Sequence, residues 1–253
     1  MKVVTFSIFK GGTAKTTSTV NTAAALVNKG KKVLVVDLDQ QASATRYLDL
    51  DPDASPNLYE VFMGTQQAPL AVRKTKHGVH VLSSQVLMAA IEEALEPGDE
   101  TKLSDLIRPL RQTYDFILID TPPGKAMLAF NGLAAADLIL IPASAERMAV
   151  DGVADLISHV QRIMWNKFNL THQELRILFT MYRSTTSHSP AVVENARKIW
   201  RDNILSMQIP HSTIFARSYD EKTPVSKLEP RHPGAIAYDV LAEWLIRYND
   251  ENT

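Results

Sequence analysis

The stretch of sequence that decides the fold is Lys10-Gly11-Gly12-Thr13-Ala14-Lys15-Thr16-Thr17. The apolar run Val3-Val4-Thr5-Phe6-Ser7-Ile8-Phe9 precedes it and predicts a buried strand. After it, apolar residues recur with the spacing of a helix, at Val20, Ala23, Ala24 and Val27. A strand, a glycine-containing loop with Lys-Thr, and a helix are the parts of a phosphate-binding loop, or P-loop. This motif predicts that Lys15 reaches the terminal phosphates of a nucleotide and that the Thr16 hydroxyl binds Mg²⁺.

The loop departs from the standard P-loop pattern at two positions. That pattern has glycine six residues and one residue before the lysine, where this chain has Phe9 and Ala14. Ala14 needs a negative φ, or it accepts roughly 1 kcal/mol of strain. An additional lysine, Lys10, directly precedes the glycine pair. The resulting K-G-G-x-x-K-T-T form resembles the deviant Walker A box of the ParA/MinD family of ATPases.

The resemblance implies that ATP and Mg²⁺ are the cofactors. In this family, the lysine at the Lys10 position reaches across a dimer to the partner's nucleotide, so the resemblance implies an ATP-bound homodimer and a catalytic role for Lys10. The alternative is a Gly-Gly turn with two solvated lysines. The strand before the loop and the helix after it are what a P-loop requires, and they favour the P-loop interpretation. The nucleotide-binding residues expected in this loop are Lys10, Gly11, Gly12, Thr13, Ala14, Lys15, Thr16 and Thr17.

Two aspartates follow the second predicted strand, residues 32–37. The segment Asp37-Leu38-Asp39-Gln40-Gln41 resembles the D-x-D-P-Q of the family, with Gln40 in place of proline. Acidic residues at the carboxyl end of a strand beside a P-loop lie on the ligand side of the sheet. The resemblance implies that Asp39 orients or activates the attacking water and that Asp37 lies near Mg²⁺ and its water shell. The alternative is that both are solvated loop carboxylates.

A third acidic residue ends the apolar strand predicted over residues 114–120, and Thr121-Pro122-Pro123 follow it. The run resembles the Walker B segment of the family, Y-D-[FY]-I-x-[IL]-D-x-P-P. Asp120 would then hold Mg²⁺ through a water, because Mg²⁺ keeps several waters and takes few protein carboxylates. The expected metal residues are therefore Thr16, Asp37 and Asp120.

Three further residues are assigned by the resemblance alone. Glu146 stands where the family often has a glutamate near the dimer interface, although a solvated helix start would explain it equally. The segment 207–210 resembles the family's I-P segment, whose backbone sits at the adenine. Met181 and Pro210 are accordingly expected in the base pocket.

The remaining sequence predicts the architecture. Short apolar strands alternate with helices and no repeat or change of composition interrupts them. This pattern predicts a single α/β domain over residues 1–253, with a mostly parallel, twisted β-sheet flanked by helices on both faces. Residues 42 to 78 are the least regular part and are expected to form a surface excursion with no chemistry.

Composition limits the class of protein. The 253-residue chain has no cysteine, which excludes disulfides, thiolate metal sites and the iron–sulfur relatives of this ATPase class. Lys2 leads straight into a strand, so we expect no signal peptide, and no apolar run approaches the ~20 residues of a membrane span. These features favour a cytoplasmic protein.

Three classes of function fit the motifs. The first is a ParA-type ATPase whose dimer binds DNA and positions a plasmid, a chromosome or another cargo, with a ParB-like or other adaptor protein stimulating slow hydrolysis. The second is a MinD-like ATPase that binds membrane, but residues 234–253 carry four acidic residues against one arginine, which an anionic bilayer would repel. The third is a metabolic P-loop enzyme such as an amidoligase or a small-molecule kinase, for which we find no second substrate motif.

The charge pattern favours the first class. Residues 183–231 hold eight Lys and Arg against five Asp and Glu, whereas the whole chain has a net charge of −1. No aromatic residues alternate with them, so contacts to non-specific double-stranded DNA would involve phosphates, and the protein would associate with the nucleoid. Three positions that are often basic in the family are His211, Thr185 and Ile214 in this chain, so the basic residues present do not match the family's positions. The alternative for each of them is therefore a solvated surface residue. The candidate DNA residues are Arg183, Arg197, Lys198, Arg201, Arg217, Lys222, Lys227 and Arg231.

Overall fold

One eight-stranded sheet forms the centre of the protein in the computed structural model, which describes residues 1–146, 149–171 and 173–251. The strand order is β3-β4-β2-β5-β1-β6-β7-β8, and every neighbouring pair is parallel except β3 and β4. The predicted α/β fold with a mostly parallel sheet is confirmed. The strands are β1 (Lys2–Phe6), β2 (Val33–Asp37), β3 (Val72–Lys74), β4 (His80–Leu82), β5 (Phe116–Asp120), β6 (Leu138–Ser144), β7 (Glu174–Tyr182) and β8 (Ile204–Pro210).

Helices connect the strands. A π-helical segment, Val160–Trp165, continues α8, and three short 3₁₀ turns lie at Asp99–Thr101, Arg108–Leu110 and Arg201–Asn203. The α-helices are α1 (Lys15–Asn28), α2 (Ser43–Tyr47), α3 (Leu58–Phe62), α4 (Ala68–Ala71), α5 (Met88–Ala94), α6 (Lys102–Ile107), α7 (Met127–Ala135), α8 (Ala149–His159), α9 (His188–Trp200), α10 (Ile214–Asp220), α11 (Val225–Leu228) and α12 (Pro233–Glu251).

Both faces of the sheet are covered, as predicted. Successive side chains of a strand point to opposite faces, so Val4 packs into a cluster with α1, α2 and α12, whereas Val3 packs into a cluster with α3, α5, α6 and α7. A further cluster joins β6 and β7 to α8 and α9. Because strands buried on both faces must be apolar throughout, these strands were visible in the sequence as continuous apolar runs.

The last helix returns to the first strand. The Nζ of Lys2 lies 5.4 Å from the centre of the Tyr248 ring, and Tyr248 stacks on Trp244. Tyr238, on the same helix, is buried against α1, so α12 is part of the core. None of the helices within the described residues is long and apolar enough to cross a membrane.

Strand register builds one edge of the sheet. Asp120 is the register partner of Phe6 in β1 and of Asp37 in β2. The last residues of these three neighbouring strands therefore lie side by side, and the P-loop leaves the sheet at the same edge. This edge is where ligands bind in open parallel sheets.

Three sequence predictions differ from the structure. β1 ends at Phe6 rather than Phe9, so the P-loop starts three residues earlier than its apolar sequence suggested. The strands β3 and β8 were not predicted, because half-exposed strands carry polar residues and lack a continuous apolar run. The surface excursion expected for residues 42 to 78 is wrong, because Thr45 of α2 and Leu58 of α3 are fully buried.

Gly132 fixes how closely α7 approaches the sheet. A Cβ added at this residue would lie 2.7 Å from Cγ2 of Thr121 and 3.1 Å from Cδ1 of Leu38. The Gly132 carbonyl also accepts a hydrogen bond from Oγ1 of Thr5 at 2.6 Å. The helix therefore has no room for a side chain at this position.

We expect Gly132→Ala to destabilise the protein by about 1–3 kcal/mol, because the added methyl group overpacks the core. Gly152→Ala in α8 is the matched control, since its Cβ would meet Cδ1 of Ile8 at an ordinary 3.4 Å. That change should be neutral or stabilising, because alanine is the better helix former. Thermal unfolding of both variants measures the difference, and equal midpoints would contradict the close approach of α7.

Candidate functional site

The P-loop occupies residues 7–14, between β1 and α1. Gly12 has φ = 71° and Ala14 has φ = 65°, both in the left-handed region. Ala14 therefore has the strained conformation, the second of the two that the sequence allowed, at a cost of roughly 1 kcal/mol. No side chain among the described residues caps the N-terminus of α1, which leaves the amides of its first turn available to an anion.

A cavity of about 350 Å³ lies at this loop. It brings together most of the loop residues predicted from the motif with Asp39 from the end of β2. Lys10 does not line it, and neither do the buried carboxylates Asp37 and Asp120. The lining residues are Gly11, Gly12, Thr13, Ala14, Lys15, Thr16, Thr17, Asp39, Pro123 and Met181.

The ammonium group of Lys15 is held by the loop itself. Its Nζ donates to the carbonyl oxygens of Ile8 and Lys10, each at 3.2 Å. Burial lowers the pKa of Lys15, and the charges of Asp120 and Asp39 oppose that shift. The side chain is therefore a buried cation held mainly by neutral carbonyls, which an incoming anion can replace.

Asp37 and Asp120 are fully buried at the adjoining sheet edge. Asp120 accepts hydrogen bonds from Oγ1 of Thr16 at 2.7 Å and from Oγ1 of Thr19 at 3.2 Å. Burial raises the pKa of Asp37 to about 6 and that of Asp120 to about 8, and the neighbouring carboxylates add to both shifts. Two buried carboxylates with raised pKa values are suited to a cation.

Thr45 holds the Asp37 carboxylate in place. Its backbone N–H and its Oγ1 both donate to Oδ2 of Asp37, at 2.9 and 2.8 Å, and the N–H of Asp39 donates to Oδ1 at 3.1 Å. The carbonyl of Asp39 accepts from Oγ of Ser84 at 2.7 Å. Burial raises the pKa of Asp39. Sequence reasoning missed Thr45 and Ser84, and their only signal was that they are small polar residues shortly after strands.

A second cavity of about 130 Å³ adjoins the first and shares Ala14, Thr17 and Met181 with it. It also contains Pro210, so the two residues predicted for a base pocket do lie together. The Oγ1 of Thr180 donates to the carbonyl of Thr13 at 3.1 Å and fixes the end of β7 to the P-loop. The sequence did not indicate that aromatic residues line this second cavity. The other lining residues are Thr180, Ile209, His211, Ser212, Phe215 and Tyr238.

Buried hydroxyl groups fix α1 to α12 and α2, and α2 to α10. Ser18 shares a hydrogen bond of 3.0 Å with the Tyr238 hydroxyl of α12. The Tyr47 hydroxyl of α2 accepts from Nδ2 of Asn21 at 3.1 Å and shares a 2.6 Å hydrogen bond with Ser218 of α10. The helix that follows the P-loop is thus tied to the C-terminal third of the chain.

Two further predicted residues, Glu146 and Lys10, also lie outside both cavities. Glu146 is exposed and is followed by two residues outside the described ranges. Lys10 is half-buried, and no carboxylate of the described residues lies within 4 Å of its Nζ.

All eight candidate DNA residues are exposed. Two of them form ion pairs: Arg217 with Glu221 at 3.2 Å and Glu229 at 2.8 Å, and Lys222 with Asp49 at 3.2 Å. These carboxylates offset part of the positive charge that the sequence indicated.

Comparisons with known proteins agree with this geometry. A family model described as an AAA domain matches residues 1–177. The chain is 31% identical over 248 residues to the chromosome-partitioning ATPase Soj of Treponema pallidum (strain Nichols), which covers 97% of this chain and 97% of that relative.

Two solved structures have similar folds. The crystal structure of cobyrinic acid a,c-diamide synthase from Mycobacterium smegmatis with bound ADP and magnesium has a TM-score of 0.84 at 30% identity, and the match covers 100% of this chain and 97% of that one. The septum site-determining protein MinD from Pyrococcus horikoshii OT3, complexed with Mg-ADP, has a TM-score of 0.80 at 27% identity, with coverage of 96% and 95%.

The raised carboxylate pKa values predict that the protein without nucleotide is less stable at high pH. A group whose pKa is higher in the folded state stabilises the fold fully below its unfolded pKa, about 3.9 for aspartate, and this contribution is lost as the pH rises through the folded pKa. For Asp37 and Asp120 that loss is complete near pH 6 and near pH 8 respectively. We therefore expect a lower thermal midpoint at pH 8.5 than at pH 5.5.

Asp120→Asn should reduce this pH dependence, because the buried group can no longer ionise. Asp53→Asn is the matched control, since it removes the same charge from an exposed residue. Thermal unfolding at several pH values gives the slope for each variant. An unchanged slope in Asp120→Asn would refute the assignment of the pH effect to this carboxylate.

Proposed function

The chain belongs to the ParA/MinD family of P-loop ATPases, and from this we propose that it is an ATP hydrolase that positions or segregates a cargo. In this proposal it dimerises when it binds ATP and Mg²⁺, and the dimer binds double-stranded DNA without sequence preference. The cargo is a plasmid, a chromosome or another large body. A ParB-like or other adaptor protein stimulates a slow hydrolysis. The protein would act in the cytoplasm, on the nucleoid.

The observation that carries the proposal is that Lys15, Thr16 and Asp39 line one cavity at the uncapped end of α1. An ammonium group and free helix amides suit the phosphates of ATP. Phosphoryl transfer to water depends on positioning and on charge stabilisation, so the enzyme also needs a group that orients the water. We assign that role to Asp39, the carboxylate that lines the same cavity.

The oxygen atoms beside the phosphate site fit Mg²⁺, which prefers oxygen ligands and keeps several waters. Oγ1 of Thr16 lies 2.7 Å from Oδ2 of Asp120, so one ion can bind the hydroxyl directly and the carboxylate through a water. Asp37 would contribute negative charge without binding the ion directly, because its oxygens already accept hydrogen bonds from Thr45 and from the Asp39 N–H. When bound, Mg²⁺ supplies positive charge to the phosphates.

Lys10 is proposed to act in the dimer. Its carbonyl holds Lys15, but its side chain does not line the cavity of its own subunit. With no carboxylate of the described residues paired to it, the ammonium group is free to approach the nucleotide of a second copy. Glu146 is proposed to lie at the nucleotide near this interface.

The second cavity is proposed to take the adenine base. Met181 borders both cavities, so a nucleotide whose phosphates occupy the first can extend its base past Met181 to Pro210. The cavity is lined largely by apolar side chains, which suits the faces of a purine ring.

The eight exposed basic residues are proposed to supply phosphate contacts to DNA. Arg197, Arg201, Lys227 and Arg231 have no ion-pair partner among the described residues. Contacts of this kind hold DNA without reading its sequence and weaken with salt.

Membrane binding of the MinD kind is disfavoured by α12. The helix packs into the core through Tyr238, and its acidic residues Asp239 and Glu243 pair with Lys29 of α1 at 3.0 and 2.9 Å. It is therefore not free to lie on a bilayer. The resemblance to a diamide synthase favours a second candidate, an ATP-dependent amide-forming enzyme, which would need neither Lys10 nor DNA.

Binding to DNA distinguishes the two candidates. Anisotropy of a labelled duplex of arbitrary sequence should rise with ATP, remain low with ADP and fall steeply as salt increases. Lys15→Ala should bind neither nucleotide nor DNA. Lys10→Ala should bind ATP but remain monomeric in light scattering and fail to bind DNA, whereas Lys102→Ala, an exposed lysine on α6, is the matched control. Equal DNA binding with and without ATP would contradict the proposed function, and no DNA binding at low salt would favour the amide-forming enzyme.

Asp39→Ala should separate binding from turnover. Removing the carboxylate leaves Lys15, Thr16 and Asp120 in place, so the variant should bind ATP, dimerise and remain on DNA. Single-turnover hydrolysis should fall by at least ~10²-fold, the scale of a positioned acid–base group. Asp53→Ala controls for loss of one negative charge. Hydrolysis at the native rate would remove Asp39 from the reaction, and lost ATP binding would make it a metal-site residue.

A further inference from the structure

Phe9 is the residue of the P-loop that the proposed function leaves unexplained, although it stands where a standard loop has glycine. Its ring packs edge-on against Phe130 of α7 and His159 of α8, with centroid distances of 6.1 and 5.4 Å. Phe130 and His159 themselves stack at 4.4 Å with 15° between their planes. We call Phe9, Phe130 and His159 the aromatic box.

The aromatic box also holds the loop that follows the Asp120 strand, residues 121–126. The N–H of Gly124 donates to the carbonyl of Phe9 at 2.7 Å. The Nζ of Lys125 lies 5.5 Å from the centre of the Phe9 ring and pairs with Asp155 of α8 at 2.9 Å. Pro123 of the same loop lines the nucleotide cavity. Phe9 therefore contacts the loop 121–126 both through its backbone carbonyl and through its ring.

The backbone on either side of Phe9 holds the phosphate-binding lysine. The carbonyls of Ile8 and Lys10 are the two acceptors of the Lys15 ammonium group. Helix α8 also packs on this segment, since a Cβ at Gly152 would be in ordinary contact, at 3.4 Å, with Cδ1 of the Ile8 side chain. The direction of both carbonyls thus depends on how residues 8–10 are fixed against α8.

His159 is suited to a packing role. Only 8% of its surface is exposed, and its Nε2 has no hydrogen-bond partner among the described residues. Burial lowers the pKa of the imidazole, and the charges of Arg162 and Lys125 lower it further against the opposing charge of Asp155. A neutral ring stacks on Phe130 without needing a counter-ion.

We propose that Phe9 is a positioning residue: the aromatic box clamps residues 8–10 and the loop 121–126 against α8, and so places the Lys15 ammonium group and Pro123 for the phosphates. The part of this inference that concerns the phosphates rests on the proposed function. The clamp itself is a property of the protein without nucleotide.

Hydrogen exchange of the nucleotide-free protein tests the clamp. In Phe9→Leu and in His159→Leu, the amides of Gly124, Lys125 and Ala126 in this loop should exchange about three- to tenfold faster, the range expected when one aromatic contact is lost. Phe168→Leu is the matched control, because Phe168 is also a half-buried ring beside a lysine, 4.8 Å from Nζ of Lys167, in the same core cluster. Unchanged exchange in the first two variants, or equal acceleration in all three, would overturn the clamp.

A double-mutant cycle on the dissociation constant of Mg·ATP tests the positioning role. Phe9→Leu and His159→Leu should each weaken binding about three- to tenfold, and the double variant should be no weaker than Phe9→Leu, because both act through one contact. Phe168→Leu should bind as the native protein does. Independent, additive effects, or native affinity in Phe9→Leu, would refute positioning.

The two experiments distinguish a failure of the proposed function from a failure of the clamp. If the native protein binds no ATP, the proposed function falls, and hydrogen exchange still decides whether the aromatic box holds the loop. If Phe9→Leu does not fold, His159→Leu removes the same contact from the other side, and its hydrogen exchange and its own dissociation constant for Mg·ATP, each compared with Phe168→Leu, decide the proposal.

Discussion

Three buried ionisable groups at one edge of the sheet constrain the rest of the structure. Burying an ion costs several kcal/mol unless other groups compensate it, and here Asp37, Asp120 and Lys15 are all removed from water. Each is compensated by a different element: Asp37 by Thr45 of α2, Asp120 by threonines of α1, and Lys15 by carbonyls of the P-loop. The elements around the site are therefore held in place by their hydrogen bonds to these three groups.

Helix α1 is the element through which these constraints spread. Its first turn borders the cavity, and its buried face bonds to α2 and α12 through hydroxyl groups of Tyr47 and Tyr238. A buried polar group without its partner costs about 1–3 kcal/mol, so these helices cannot shift independently of α1 without losing stability. Arg217 on α10 belongs to the same set of connected helices, since Ser218 bonds to Tyr47. Any movement at the phosphates has a direct structural route to that surface.

The sequence was sufficient for the parts of the site that are contiguous in the chain. The P-loop and the Asp120 strand each combine a motif with its flanking strand, so Lys15, Thr16 and Asp120 were predicted by local pattern. Thr45, Ser84 and His159 were not, because each acts through a contact with a residue that is distant in sequence. The edge strand β3 and the strand β8 were missed for a related reason: their pairing, not their own apolar content, makes them strands. The φ of Ala14 was left open by the sequence, since either conformation was compatible with alanine.

The contact between Lys2 and Tyr248 has a consequence for folding kinetics. The first strand and the last helix meet only after almost the whole chain has been made, and the Ser18–Tyr238 hydrogen bond spans 220 residues. Contacts of such separation slow folding, because the loop must be closed before the contact repays its entropy. A circular permutant that joins the neighbouring residues 2 and 248 by a short linker, and opens at the exposed turn near Pro97, would convert this contact into a local one. Such a chain would pair α1 with α12 early. The strands on the other side of β5, namely β2, β4 and β3, would then assemble on that pair.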